Sequence, residues 1–342
     1  MQRDLITLTA DGLYCAAGNF HIDPWRPVAR AVITHAHADH ARAGHSCYLS
    51  ASEGEKVLRA RLGDIALQTL RYGERIHIGE ATVSLHPAGH VLGSAQVRIE
   101  VGGEVWVASG DYKLDADATC TAFEPVRADT FITESTFGLP IYRWPAPDVL
   151  LAELNAWWRA NADAGRTSVV FAYAFGKSQR ILAGLDHGIG PIVCHGAVEA
   201  LNRAYRGSGV ALPATSMVSD GLDAAALRRA LVIAPPSAQS SPWMKRFGDY
   251  ADCFASGWMQ VRGARRRRGV DRGLVMSDHA DWPGLLSAID ATGASRVIVT
   301  HGHVQPLVRW LEENGLQAGA FATSFGNEAD SADEEPAAPE SR

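Results

Sequence analysis

Several features that mark other classes of protein are absent from this sequence. Nowhere do eighteen apolar residues run together, and the first eight residues have neither an extended apolar core nor a small-residue cleavage site. The five cysteines are widely spaced and include no Cys-x-x-Cys pair, which argues against a disulfide framework and indicates reduced thiols in a cytosol. We therefore expect a cytoplasmic protein that is not associated with a membrane.

A strong net charge is also absent from most of the chain. The formal charge is −6, but the last fifteen residues carry six acidic side chains against one arginine, so the rest is close to neutral. A nearly neutral body can still carry a basic groove, and nucleic acid is therefore not excluded as a partner. With 342 residues, 46% of them hydrophobic, the chain is expected to form one large domain or two ordinary ones.

The most informative stretch is residues 31–41, with the sequence AVITHAHADHA. It places His35, His37, Asp39 and His40 within six residues, directly after an apolar run that is typical of a buried strand. In an extended segment the first two histidines point the same way, and a turn after them can bring the next two ligands to a second position. One loop can thus supply ligands to two metal ions. A loop that is histidine-rich by chance is the alternative, which the further ligands downstream disfavour.

A third histidine for the first ion follows in a glycine-bounded loop. His90 lies between Gly89 and Gly93, where the backbone can approach a site closely. His86 is the rival candidate. It lies within a strand pattern just before a proline, which is more typical of a packed or edge residue.

Three acidic residues also follow strand-like runs. Asp111 comes after a hairpin with a Gly-Gly turn, and a carboxylate there suits a bridge between two cations. Glu134 ends another apolar run. Asp23 closes an early strand, where its carboxylate can accept the free ring N–H of a metal-bound histidine and fix the tautomer of that ring. For both aspartates the alternative is ordinary turn chemistry, because Gly-Asp and Asp-Pro are common in turns.

The middle third of the chain alternates strands and helices, which predicts a separate α/β unit of parallel type. Lys177 and Ser178 follow a glycine turn before a helix, a place where anions bind, and they are candidate contacts for a substrate backbone. Residues 262–268 form the only strong charge run. We expect either a solvated loop there or a segment in which Arg265 and Arg266 contact phosphates.

Two late strands end in histidines, after which the chain changes character. His279 follows the first of these strands, and His301 stands directly at the end of the second. Residues 324–342 are acidic, rich in alanine and proline, and without periodicity, so this segment is predicted to be disordered.

Taken together, HAHADH, Gly-His90, Gly-Asp111 and a histidine at a late strand end resemble the two-metal set of the metallo-β-lactamase fold. The stretches TESTFG, SDHADW and THG at Glu134 and the two late histidines resemble motifs A, B and C of its β-CASP nuclease branch, which includes Artemis and the DNA crosslink-repair exonucleases. The resemblance covers nearly all of residues 5–322 and is greatest to the bacterial ligase-associated DNA exonucleases.

The resemblance implies an α/β fold with an interrupted domain. Residues 1–142 and 269–323 would form a metallo-β-lactamase αββα sandwich, and residues 143–268 an inserted α/β β-CASP domain. A cleft between the two domains would then receive the substrate.

The resemblance also implies roles for the candidate residues. The first divalent ion would take His35, His37 and His90, and the second would take Asp39, His40 and His301, with Asp111 bridging. Zn²⁺ suits such ligands, and Mn²⁺ or Fe²⁺ is compatible with carboxylate-containing sites. His279, held by Glu134, is the candidate general acid. The alternative for this pair is that it only ties two domains together.

The function implied is a DNA exonuclease in repair, acting on single-stranded DNA or DNA with free ends, in functional association with a DNA ligase and a helicase. His301 departs from the Artemis-type DNA enzymes, in which a non-ligand is typical, and favours an RNA-processing nuclease of the same branch as the alternative. A small-molecule metallo-hydrolase would be expected to lack Glu134, His279 and the insert. A nucleic-acid-binding protein without activity would be expected to have lost ligands.

Overall fold

The computed structural model describes residues 4–325, apart from the side chains of residues 264, 265 and 267. Within that range the chain divides into two compact units, one made of residues 4–143 and 278–325 and the other of residues 144–277. No helix among these residues is long and apolar enough to cross a membrane.

The elements fall into three consecutive segments. The first contains β1 (Ile6–Thr9), β2 (Gly12–Cys15), β3 (Phe20–Ile22), β4 (Arg30–Val32), β5 (Cys47–Ala51), α1 (Glu55–Leu62), β6 (Leu67–Leu70), β7 (Arg75–Ile78), β8 (Ala81–Pro87), β9 (Ala95–Val101), β10 (Glu104–Ala108) and β11 (Thr130–Ser135). The second contains α2 (Pro147–Asp163), β12 (Thr167–Phe171), α3 (Lys177–Ala183), β13 (Ile192–Cys194), α4 (Gly196–Gly207), α5 (Ala224–Arg229), β14 (Leu231–Ala234), β15 (Tyr250–Ala255), α6 (Arg262–Arg268) and β16 (Arg272–Leu274). The third contains α7 (Trp282–Thr292), β17 (Arg296–Gly302), α8 (Val304–Glu313) and β18 (Gln317–Ala320).

The first unit is built on two sheets. One has the strand order β1-β2-β3-β4-β5-β6, and the other has the order β18-β17-β11-β10-β9-β8-β7. Buried apolar residues from both sheets, such as Val32 and Ile132, belong to one cluster. Leu285 of α7 and Leu307 of α8 belong to a second cluster with Val299 of the seven-stranded sheet. Because strand residues alternate between the faces of a sheet, this sheet can bury one face against each cluster.

A tight hairpin inside the seven-stranded sheet sets the register of a functional strand. β9 and β10 pair antiparallel, with Val101 opposite Glu104. Gly102 and Gly103 join them with φ values of 59° and 90°, a left-handed conformation that favours glycine. The predicted hairpin is confirmed, and β10 ends three residues before Asp111.

The second unit is a parallel α/β unit, as predicted for the middle third. Its five-stranded sheet has the order β13-β14-β12-β15-β16, with parallel pairing throughout. Helix α2 buries Leu150, Leu154 and Trp158, which recur at helical spacing. The predicted mixed α/β fold class is confirmed.

Three details differ from the sequence predictions. β16 pairs with β15, so residues 269–277, which the resemblance assigned to the final segment of the sandwich, lie in the second unit. The basic run forms helix α6 instead of a loop. Ser324 and Phe325, assigned to the disordered tail, are described, and Phe325 makes ring contacts. The rest of the predicted tail, residues 326–342, lies outside the described residues.

Candidate metal centre

Three of the predicted site residues lie at one edge of the seven-stranded sheet. β10, β11 and β17 are adjacent and parallel, so their carboxyl ends meet at the same edge. Asp111 follows β10, Glu134 lies near the end of β11, and His301 lies near the end of β17. The pairing of β11 with β17 shifts register between Thr133 and Ser135, so Glu134 stands at an irregular point of the ladder.

The histidine loop and the loop of His90 complete the cluster around Asp111. The loop begins three residues after β4, and His35 Nε2 lies 3.5 Å from Asp111 Oδ2. His90 Nε2 lies 3.9 Å from the same oxygen and 3.0 Å from His37 Nδ1. These three imidazoles therefore direct one nitrogen each toward a common point beside Asp111.

A second group of candidate ligands contacts the same carboxylate. His40 Nε2 lies 3.4 Å from Asp111 Oδ2, and His301 Nε2 lies 3.2 Å from Asp111 Oδ1. Asp39 Oδ2 lies 3.5 Å from His40 Nε2, and its side chain is 20% exposed. Asp111 thus contacts both groups of imidazoles.

Close backbone approach allows this arrangement at Gly110. Its φ is +57°, and a Cβ at this position would lie 2.7 Å from the Cβ of Thr34. Thr34 in turn donates its backbone N–H and its hydroxyl to Asp23, at 2.8 and 2.5 Å. A larger residue at Gly110 would displace the segment that carries the histidine loop.

Asp23 holds one of the second-group histidines. Its Oδ2 lies 2.7 Å from His40 Nδ1, and the carboxylate is buried. Asp23 has φ +43°, a left-handed conformation that aspartate tolerates better than most residues. The carboxylate therefore orients the His40 ring, and turn chemistry alone does not account for Asp23.

Hydrogen bonds leave a ring nitrogen of four histidines available as a ligand. In each, Nδ1 faces an acceptor and is assigned a proton, so Nε2 is the nitrogen that can bind a metal ion once it is deprotonated. The acceptors are Asp23 for His40, Thr34 Oγ1 for His35, the Asp278 carbonyl for His90 and Thr300 Oγ1 for His301. The two threonine oxygens can accept because their own hydroxyl protons go to Asp23 and to the Thr133 carbonyl.

Electrostatics also separate the two groups. Burial lowers the pKa of His37 and of His90 to about 3, and it lowers the pKa of His35 well below 6.5. For His40 burial acts in the same direction, but nearby carboxylates, Asp111 foremost, raise its pKa well above 6.5. Burial raises the pKa of Asp111, yet the charges of His40 and His279 outweigh it and hold the pKa well below 3.8. The carboxylate is therefore ionised and suited to a cation.

The donor set fits divalent metal ions. His35 Nε2, His40 Nε2 and Asp111 Oδ1 are buried and make no hydrogen bond among residues 4–325. Ligand atoms lie within 4.8 Å of one another in three groups: His35, His37, His90 and Asp111; His40, Asp111 and His301; and Asp111, Glu134 and His279. Buried ring nitrogens and carboxylate oxygens that make no hydrogen bond are what a cation would satisfy.

Glu134 and His279 form a pair next to these groups. His279 Nδ1 lies 2.9 Å from Glu134 Oε2. The carboxylate also accepts the backbone N–H of Tyr112 at 2.8 Å and the hydroxyl of Thr136 at 2.5 Å, and it is buried. The rings of His279 and His90 lie 4.6 Å apart. Glu134 is thus fixed from three sides and orients His279.

The predicted substrate contacts belong to the second unit. Lys177 and Ser178 are in the second unit and fully buried, with the Lys177 ammonium 4.6 Å from the Tyr173 ring and the Ser178 hydroxyl donated to the Tyr173 carbonyl. Neither side chain offers an accessible group to a substrate, so the glycine-turn pattern overstated this site. Arg266 is exposed on α6, whereas the Arg265 side chain lies outside the described residues.

Sequence reasoning missed several residues that contact the ligands. Thr34, Thr300 and the Asp278 carbonyl each accept a ring N–H, and Phe325 stacks on His40. A threonine directly before a strand-end histidine is common to His35 and His301 and could have indicated the first two. No local pattern indicates the other two, because their partners are distant in the chain.

The comparisons with known proteins agree with this geometry. No protein-family model matches the chain. A probable DNA ligase of Opitutus terrae is 31% identical to it over 314 residues, which is 91% of this chain and 30% of that protein. Endoribonuclease YSH1 of Yarrowia lipolytica is 26% identical over 142 residues, 32% of this chain and 17% of that protein. An RNase J-like protein of Methanocaldococcus jannaschii is 29% identical over 119 residues, 34% of this chain and 28% of that protein.

The chain is a homologue of the β-CASP nucleases. The predicted resemblance to that branch of the metallo-β-lactamase fold is confirmed. This β-CASP homologue spans less than a third of the length of each of the three relatives. A crystal structure of a protein of unknown function from Enterococcus faecalis shares the fold, with a TM-score of 0.54 and 13% identity over 87% of this chain and 80% of that one.

Proposed function

We propose that this β-CASP homologue is a metal-dependent DNA exonuclease that hydrolyses phosphodiester bonds with two divalent ions and acts in DNA repair. The observation that supports this most is the buried, ionised carboxylate of Asp111, shared by two groups of imidazoles and adjacent to the Glu134–His279 pair. Phosphodiester hydrolysis needs both parts: positive charge at the phosphate and a proton for the leaving group.

The ligand assignment follows the two groups. His35, His37 and His90 would hold the first ion, Asp39, His40 and His301 would hold the second, and Asp111 would serve both. Zn²⁺ and Mn²⁺ both accept imidazole and carboxylate ligands. When bound, such ions lower the pKa of a water molecule and neutralise charge on the reacting phosphate.

The chain itself supplies the proton. In this proposal His279 is the general acid that protonates the departing sugar oxygen. Glu134 accepts a hydrogen bond from the Nδ1–H of His279, which leaves Nε2 as the atom that transfers a proton. Because Glu134 is itself fixed by Tyr112 and Thr136, the ring keeps this orientation between turnovers.

DNA is the preferred substrate because the relative that aligns with 91% of the chain is named a probable DNA ligase. An RNA-processing nuclease is the second candidate. It is favoured by the histidine at position 301, which contacts Asp111, and by relatives named as endoribonucleases. A small-molecule metallo-hydrolase is the third, and the Glu134–His279 pair disfavours it.

The same reasoning gives the proposed setting. The partner is DNA that is single-stranded or has free ends, and Arg266 on the exposed side of α6 is a candidate phosphate contact. A functional association with a DNA ligase and a helicase, and a cytoplasmic location, complete the proposal.

The test is cleavage of matched single-stranded DNA and RNA, each labelled at the 5′ or the 3′ end, by protein reconstituted with Zn²⁺ or Mn²⁺. We expect stepwise loss of nucleotides from DNA, abolished in Asp111→Ala and retained in Asp64→Ala, whose side chain is fully exposed. The label that is released first gives the polarity.

Two results would contradict the proposal in different ways. Faster cleavage of RNA than of DNA would assign the chain to the RNA-processing candidate. Inertness on both strands, with turnover of a small ester or lactone that requires Asp111, would assign it to the metallo-hydrolases.

A further inference from the structure

Phe325 covers two imidazoles of the candidate metal centre. Its ring stacks on the ring of His40, with centroids 4.5 Å apart and planes 10° apart. It meets the ring of His301 edge-on, with centroids 5.4 Å apart. These two histidines belong, with Asp111, to the second group of possible ligands.

The sheet topology explains how the chain brings Phe325 to this place. β18 runs parallel to β17, the strand that carries His301 near its end. Beyond β18 the chain continues in the same direction, since the Phe321 N–H donates to the Val299 carbonyl at 3.0 Å. Four residues later Phe325 reaches the same end of the sheet as His301.

A second aromatic residue, from the segment just before the histidine loop, packs against the Phe325 ring. Trp25 contacts Phe325 edge-on, with centroids 5.9 Å apart. The indole is itself fixed, because its Nε1–H donates to the Ala10 carbonyl at 2.8 Å. Trp25 is two residues beyond Asp23, so one turn supplies both the carboxylate that binds His40 and the support for Phe325.

Two constraints are needed to orient a ligand imidazole. The hydrogen bond from His40 Nδ1 to Asp23 fixes the direction of the ring edge and leaves Nε2 toward Asp111. Rotation of the ring plane about that bond is not fixed by it, and the stacked phenyl ring of Phe325 opposes this rotation. The phenyl ring also keeps water from the ring face, which strengthens the attraction between a ligand set and a cation.

We propose that Phe325 is a positioning residue for the second metal ion, acting through the rings of His40 and His301. The inference rests on the proposed metal centre and deepens it. The two imidazoles that Phe325 contacts, those of His40 and His301, are both assigned to the second ion, so its loss should weaken the second position selectively.

The test is a titration of metal-free protein with Co²⁺, followed by visible absorption and by the number of ions bound. Wild type is expected to bind two ions. Phe325→Ala is expected to bind the first ion as wild type does and the second roughly 10- to 100-fold more weakly, the usual effect of losing an outer partner of a metal ligand. Its Co²⁺ spectrum should change only in the second half of the titration.

Three further variants separate orientation from general packing. Phe325→Tyr keeps the flat ring and should restore the second affinity, whereas Phe325→Leu keeps apolar volume without a flat ring and should not. Phe321→Leu is the matched control in the same segment. Phe321 packs against the hydrophobic cluster shared by the two sheets, so this variant should leave both affinities unchanged.

The outcomes distinguish this inference from the proposal on which it rests. Wild-type affinity for both ions in Phe325→Ala, or equal weakening in Phe321→Leu, overturns the role of Phe325 and leaves the metal centre in place. Binding of no Co²⁺ by the wild-type protein overturns the metal centre itself.

Discussion

Each compact unit contains a cluster of buried or partly buried polar side chains, and the two clusters are built in opposite ways. Around Asp111 in the first unit, three buried atoms make no hydrogen bond within residues 4–325. In the second unit, Glu199 accepts hydrogen bonds from Thr215 at 2.6 Å and from Asn202 and Arg206 at 3.0 Å each. Asn202 also accepts from Gln179 at 2.8 Å. One cluster directs polar atoms at a common point, and the other directs them at each other.

The difference shows which cluster serves function and which serves the fold. A buried polar atom without a partner costs about 1–3 kcal/mol, so three such atoms in one place are a burden on the fold unless a ligand satisfies them. The Glu199 cluster has no such cost and ties α3 and α4 to the segment that contains Thr215. Changes in the first cluster should therefore affect chemistry, and changes in the second should affect stability.

The largest expected effect is on activity in the first cluster. Asp111→Asn removes the charge shared by both metal positions, and we expect cleavage to fall by about 10³-fold or more, since each 1.36 kcal/mol of lost transition-state stabilisation is tenfold. The measurement is single-turnover cleavage of labelled DNA. Wild-type activity in Asp111→Asn would contradict the claim that the first cluster serves function.

The next effect concerns proton transfer. In Glu134→Gln the side chain no longer holds His279 as a proton donor. The rate of DNA cleavage should therefore fall by about 10²-fold. With a phosphodiester that has a nitrophenolate leaving group, which needs no proton, the loss should be much smaller. Equal losses on both substrates would show that Glu134 holds the site together and does not assist proton transfer.

A stability effect is expected in the second cluster. Glu199→Gln weakens three hydrogen bonds to a charged acceptor, and the free energy of unfolding should fall by about 2 kcal/mol. Metal content and activity should be unchanged. Urea denaturation measures the change, with Glu153→Gln as the control: Glu153 pairs with Arg272 at a more exposed position and should contribute less than about 0.5 kcal/mol.

The two clusters should contribute differently to the pH dependence of the stability of the metal-free protein. His37 and His90 have pKa values of about 3 when folded and 6.5 in an unstructured peptide, so below pH 6.5 the unfolded chain binds protons that the folded chain does not. Stability should therefore fall as the pH drops from 6.5 toward 3, by up to about 1.4 kcal/mol per pH unit for each histidine.

The raised pKa of His40 affects stability in the opposite direction. Its stabilising contribution is complete below pH 6.5 and is lost only as the pH rises through the folded value, so it does not offset the loss at low pH. Urea denaturation at a series of pH values, in chelator, measures the slope. His90→Asn should flatten the slope and Glu199→Gln should not; an unchanged slope in His90→Asn would argue against this assignment.

The sequence predicted much of the first cluster because its members stand at strand ends. A buried strand followed by a polar residue is visible in the local pattern, as for His35, Asp111 and His301, and adjacent parallel strands then bring such residues together. The individual roles of these residues stay predictions until they are measured.

Other parts depend on contacts between distant segments and left no local signal. Phe325 looks like part of an acidic tail, and only the pairing of β18 with β17 carries it to His40. The opposite error occurred at Lys177, where a glycine turn predicted an exposed anion site but packing buries the side chain. The Glu199 cluster was not predicted either, because its residues come from three separated segments of the second unit.

The most direct test of the account is the metal content of three proteins dialysed against excess Zn²⁺ or Mn²⁺ and then freed of unbound metal. Inductively coupled plasma mass spectrometry should find two ions per chain in wild type and in Glu199→Gln, and at most one in Asp111→Asn. Wild-type protein without bound metal, or Asp111→Asn with both ions, would contradict the claim that the unpartnered atoms around Asp111 form a metal centre.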